Sequence, residues 1–133
     1  MELDGDIGII GNGAGLVMAT IDLVKHYGGN PANFCDVGGG ANAEHVAEAL
    51  EVVQTSEKVR AVFINILAGI TRCDEVARGI VEVKKVVGLK KPLVIRMVGT
   101  NQEEGREILR LAGINAYDKM EEAARQVVLK GAA

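Results

Sequence analysis

Apolar residues along this chain fall into short unbroken runs, separated by longer stretches in which they recur every three or four positions. Ile7–Gly11 (IGIIG), Ala32–Val37 (ANFCDV), Ala61–Leu67 (AVFINIL) and the run LVIRMV that follows Pro92 read as strands, and Asn115–Tyr117 as a shorter fifth. Between and after them, Ala14–Tyr27, Ala43–Gln54, Cys73–Val87, Gln102–Ala112 and Met120–Lys130 read as helices. Leu16, Met18, Ala19, Leu23 and Tyr27 carry the apolar spacing of the first helix, and Val46, Ala49, Leu50 and Val53 that of the second. Gly28-Gly29, Gly88 and Gly113 stand where three of the helices should stop. Strict strand–helix alternation with strands apolar on both sides predicts a parallel sheet covered on both faces, a doubly wound α/β fold. Five strands fit the flavodoxin-like order 2-1-3-4-5, whereas a full dinucleotide-binding fold needs more chain. With no repeat or linker, residues 1–133 are expected to form a single domain.

That fold fixes where to look for chemistry, because ligands of such sheets sit beyond the carboxyl ends of the strands. The segments there are Gly11–Gly15, Asp36–Ala41, Ala68–Arg72 and Gly99–Asn101. Two of them hold glycine clusters, in a chain with 17 Gly and only 2 Pro, which points to tight turns or close backbone approach. A net charge of −3 and an aromatic content of 3% disfavour a nucleic-acid binder. No apolar run approaches the roughly 18–20 residues of a membrane span. The acidic N-terminus does not read as a targeting peptide. Cys35 and Cys73 lack metal-ligand spacing, so two reduced, metal-free thiols in a cytoplasmic setting are expected.

Gly11-Asn12-Gly13-Ala14-Gly15 joins the first strand to a helix and would let main-chain amides approach an anion, or simply make a tight turn. Asp36 follows about 20 residues later, where an acid that holds a ribose would stand. Asn12 is the one side chain of the loop that both donates and accepts. After the third strand, Thr71 and Asp74 have the spacing of a capping box, with the Thr71 hydroxyl accepting from the amide of residue 74. The amides of Gly69 and Ile70 would then face outward at a helix start, a place for a carboxylate or phosphate. Arg72 adds a charged donor fork. Cys73 reads as a buried structural residue, His26 and His45 as surface helix residues, and Arg96 is left open between rim and structural roles.

Taken together, GNGAGLVMATIDLVKHYGGNPANFCDVGGGA and NILAGITRCDEVARGIVE, with ELDGDIG before and RMVGTN after, resemble the C-terminal domain of the succinyl-CoA synthetase (succinate–CoA ligase) β subunit. The resemblance runs from about Glu2 to Lys130. It implies a domain that meets an α subunit carrying CoA and a phosphohistidine, in an enzyme that interconverts succinyl-CoA, phosphate and a nucleoside diphosphate with succinate, CoA and the triphosphate. It places Asn12, Gly69, Ile70 and Thr71 at the substrate, with no catalytic residue and no cofactor in this chain. Magnesium and ATP or GTP belong, by the same implication, to an ATP-grasp part not contained in it, so the chain alone should be inactive. Three positions depart from the family: Leu67-Ala68 stand for a usual Phe-Gly, and Val98 for a usual acid. The methyl of Ala68 keeps a related malate–CoA ligase open as an alternative. A flavin- or nucleotide-binding module and a receiver-like domain are the other readings. The former is weakened by few aromatics and the latter by the lack of acids in the first loop, although Lys119 follows the fifth strand.

Overall fold

In a computed structural model describing residues 3–38, 40, 42–69 and 71–132, ten elements alternate without exception. They are β1 Ile7–Gly11, α1 Ala14–His26, β2 Pro31–Asp36, α2 Ala43–Thr55, β3 Ala61–Ala68, α3 Cys73–Val86, β4 Leu93–Gly99, α4 Gln102–Leu111, β5 Ala116–Tyr117 and α5 Met120–Ala132. The strands pair in parallel in the order β2-β1-β3-β4-β5, as the pattern predicts.

Side chains alternate across the sheet with the strand period of two, so each face acquires its own core. Ile10, Val62, Ile64, Ile66, Ile95 and Met97 meet α2, α3 and α4 on one face. Ile7, Ile9, Ala61, Phe63 and Val94 meet α1 and α5 on the other. The predicted face of α2 is the buried one: Val46, Ala49, Leu50 and Val53 are all core residues. The predicted face of α1 is not. Val17, Thr20, Ile21 and Val24 are buried, whereas Met18 is 53% exposed. This helix is apolar around most of its circumference, so spacing alone offered more than one face, and contact with β1 and β3 selected among them.

A polar thread crosses the second core. Asn65 of β3 donates to the Thr20 hydroxyl (2.8 Å), which itself donates to the Leu16 carbonyl (2.6 Å). Arg96 of β4 donates to Asn65 Oδ1 (3.1 Å) and to the Asp118 carbonyl (3.1 Å). Arg96 is thus a structural link from β4 to the loop after β5, and its burial pushes the guanidinium pKa down. Asn65, the one polar residue of β3, is fully buried because these partners satisfy it.

Candidate substrate rim at the carboxyl ends of the strands

Both acid and amide near the first glycine loop turn inward. Asp36 Oδ1 accepts from the amides of Gly13 (2.7 Å) and Gly38 (2.8 Å), fastening the loop after β1 to the loop after β2. The ribose-binding expectation for Asp36 is therefore replaced by a loop-fastening role. The chain's own carboxylate occupies the amide that a phosphate would have sought. Asn12 spends both ends of its carboxamide on one residue of β3: Nδ2 donates to the Leu67 carbonyl (2.9 Å) and Oδ1 accepts from the Leu67 amide (3.0 Å). Asn12 thereby lies against the end of the strand that leads to Gly69 and Thr71. Gly69 and the buried Thr71 follow in the turn after β3; Ile70 lies outside the described residues.

The turn after β3 departs from the expected capping box. The first helical residue of α3 is Cys73, and the N-cap is Arg72, in extended conformation and without a side-chain cap bond. Asp74 consequently sits one position too early for a box built on Thr71, which is itself buried. The reason lies in what claims the Asp74 carboxylate. Arg72 closes on it with two donors, Nε to Oδ1 (3.1 Å) and Nη2 to Oδ2 (2.7 Å). Arg78, one turn along α3, donates to Oδ2 (2.9 Å), and Asn101 Nδ2 donates to Oδ1 (3.1 Å). The donor fork of Arg72, expected to face a ligand, is thus held within the chain.

Asp74 is a fully buried side chain. Burial by itself raises its pKa, but hydrogen bonds from Asn101 and Arg72 and the charge of Arg72 outweigh burial and hold it down at about 2. The same partnership raises Arg72 further. Cys73, also fully buried, is pushed up to about 11, by burial first and by the neighbouring Asp74 carboxylate second. A thiol in a first helical turn is often acidified; here the local environment reverses that, in keeping with a structural cysteine. Cys35 is only half-buried, on the edge strand β2.

The loop after β4 completes the rim and was the part of it least legible as a site. The Thr100 hydroxyl donates to the Gly69 carbonyl (3.0 Å), and the Cys73 amide donates to the Thr100 carbonyl (2.9 Å). Asn101 holds a left-handed backbone (φ 58°), the only non-glycine among the described residues with positive φ. Gly99 (φ 120°) lies so close to β3 that a Cβ there would come within 2.1 Å of the Ala68 carbonyl oxygen. Gly69 is the opposite case: a Cβ there would meet no described atom within 4 Å. The Gly-Thr-Asn signal was present in the sequence, but its hydrogen bonds are long-range and have no spacing rule.

His26 and His45 lie exposed on their helices, as expected. Among the described residues no group of three His, Cys, Asp or Glu side chains could hold a metal ion, and no helix is long and apolar enough to cross a membrane. Two hollows of the surface lie among the described residues away from the turn after β3. One of about 340 Å³ is lined by Lys84, Leu93, Ile114 and Lys130, and another of about 450 Å³ lies between β2 and α2.

The sequence profile of the CoA-ligase family matches residues 10–129. The chain belongs to the CoA-ligase family. It is 58% identical to the succinate–CoA ligase (ADP-forming) subunit beta of Desulfurococcus amylolyticus, over 96% of this chain and 34% of that one. It is 55% identical to the protein of the same name from Ignicoccus hospitalis, with the same coverage. The chain thus spans about a third of the length of these curated relatives. Among solved structures it is similar to PH0766 from Pyrococcus horikoshii (TM-score 0.82, 19% identity, 96% of this chain and 36% of that one). It is also similar to a dinucleotide-forming acetyl-coenzyme A synthetase from Candidatus Korarchaeum cryptofilum in complex with phosphate and ADP (TM-score 0.78, 21% identity, 96% and 33%). At these identities the structural likeness speaks for the shared fold of this CoA-ligase-family chain.

Proposed function

We propose that this chain is the C-terminal part of a succinate–CoA ligase β subunit, and that the turn Gly69–Thr71 forms a wall of the acid site at the contact with an α subunit. The reaction is that named for the relatives: succinate, CoA and ATP interconvert with succinyl-CoA, ADP and phosphate. The observation that carries the reading is the open backbone at Gly69, at the carboxyl end of the central strand and ahead of α3. A residue without a side chain there leaves main-chain amides and a helix start accessible to a carboxylate or a phosphoryl group. Such fixed dipoles stabilise charge without reorganising during the reaction. The α subunit supplies CoA and the phosphoryl-carrying histidine. Nucleotide and magnesium belong to the rest of the β subunit.

In this reading Asn12 acts mainly through Leu67, whose backbone it grips, and borders the site with its remaining amide hydrogen. The acid is succinate. Ala68, the departure that kept malate open, directs its methyl beside Gly99, which supports a packing role for it. The setting is cytoplasmic and the reaction belongs to the tricarboxylic acid cycle.

The test uses the assembled ligase, with a full-length β subunit carrying this sequence. Gly69→Val should raise the KM for succinate about tenfold or more, the effect of about 1.4 kcal/mol of lost binding, with the KM for nucleotide unchanged. Malate is assayed beside succinate. An unchanged succinate KM would remove this turn from the site, and a preference for malate would change the acid.

A further inference from the structure

Asp74 is a buried carboxylate that the proposed reaction does not use as an acid, base or ligand. It is also the point at which three separate pieces of the rim meet. Arg72 belongs to the turn after β3, Arg78 to the body of α3, and Asn101 to the turn after β4. All three donate to its two oxygens at 2.7–3.1 Å. The turn after β4 in turn reaches back to the candidate site, since the Thr100 hydroxyl donates to the Gly69 carbonyl. Thr100 also receives the Cys73 amide, so the first amide of α3 is fixed by the same turn.

The backbone shows why such an anchor is needed. Asn101 sits in the left-handed region, which a residue with a side chain occupies at a cost. Gly99 beside it has no room for a Cβ against Ala68. Gly105 of α4 approaches the Cys73 carbonyl so closely that a Cβ would stand 2.7 Å from its oxygen. The turn after β4 is therefore pressed against the start of α3, and the bond from Asn101 to Asp74 joins those of Thr100 in holding it there. Arg72 and Arg78 are each half-exposed. They bring their charge to Asp74 while their outer donors stay solvated.

We propose that Asp74 is a positioning residue. By holding Arg72 and Asn101 together it fixes Gly69 against the start of α3, and through that placement the affinity for the carboxylic acid. Asp74 touches no substrate; it acts through Arg72, Asn101 and Thr100. This rests on the acid-site reading given above.

The experiment compares Asp74→Asn, Asn101→Gly and Gly69→Val in the same assembled ligase, measuring KM for succinate, KM for nucleotide, kcat and melting temperature. Asn101→Gly is the cleaner probe. Glycine accepts the left-handed backbone freely and removes only the hydrogen bond to Asp74. It also keeps the proposal testable if Asp74→Asn fails to fold. The expected result is an increase of about tenfold in the KM for succinate in Asn101→Gly, the scale of one hydrogen bond to a charged group, with nucleotide KM unchanged. Asp74→Asn should do at least as much. If Gly69→Val raises the succinate KM and Asn101→Gly leaves it alone, the positioning role is wrong while the acid site stands. If Gly69→Val itself has no effect, the acid-site reading fails first. A parallel fall in melting temperature and in all kinetic constants would make Asp74 a fold-stabilising residue only, and would also overturn the proposal.

Discussion

The carboxamide of Asn12 closes on the main chain of Leu67 from both sides, donating to its carbonyl at 2.9 Å and accepting from its amide at 3.0 Å. A side chain from the loop after β1 thereby does for the end of β3 what a neighbouring strand would do. It satisfies a backbone donor and acceptor at the point where β3 runs past the end of β1, whose pairing with β3 stops at Gly11 and Asn65. The frame of the glycine loop and the frame of the candidate acid site are one structure as a result.

Asn12→Ala should cost about 1–3 kcal/mol, the net worth of two hydrogen bonds of roughly 0.5–1.5 kcal/mol each, with the Leu67 amide and carbonyl left to water. Asn12→Asp should also destabilise, since it keeps the acceptor and loses the donor. Urea denaturation of the three proteins checks this; equal stability would mean that water replaces the carboxamide without loss.

Asp74 gives the fold a specific acid sensitivity. Its folded pKa of about 2 lies below the ordinary 3.8. A depressed carboxylate contributes stability that is fully present above the unfolded value and is lost as pH falls through the folded one. The unfolding midpoint in urea should therefore drop between about pH 4 and pH 2, and that part of the drop should be missing in Asp74→Asn. Identical pH profiles for the two proteins would show that other carboxylates govern acid unfolding.

Two glycines of the rim should respond oppositely to the same substitution. Gly99→Ala places a methyl group against the Ala68 carbonyl at positive φ. It should cost about 3 kcal/mol or more, strain and steric overlap acting together. Gly69→Ala meets no described atom and should change stability by less than about 1 kcal/mol. Thermal unfolding of both variants is the measurement, and comparable losses would contradict the geometry.

The two thiols should separate by rate. Cys73 is fully buried, with its pKa pushed up to about 11, whereas Cys35 is half-buried on the edge strand and raised by that partial burial. A thiol reagent at pH near 8 should modify Cys35 first in the native protein, and both only after denaturation. Equal native rates would mean that the start of α3 opens readily.

The order and kind of every element were written in the sequence, because each rests on a local rule. Apolar runs that need cover on both faces make β1, β3 and β4, and three-and-four spacing makes the helices. The same periodicity marked the buried face of α2, where apolar and charged positions segregate. It misplaced the face of α1, where Met18 is as apolar as Val17 and only contact with the sheet decides between them. Sequence also located the rim, because a doubly wound sheet puts its ligands at the carboxyl ends of its strands. It could not say what the polar residues of that rim would bind. Asp36, Arg72 and Asp74 each looked like groups for a ligand or a cap, and each is taken by a partner distant in sequence or by a competing neighbour: Asp36 by Gly13, and Asp74 by Arg72, Arg78 and Asn101. A carboxylate's local spacing states what it could reach. Which of the reachable donors it takes depends on where the fold brings the others, and that was decided only when the turn after β4 closed on the start of α3.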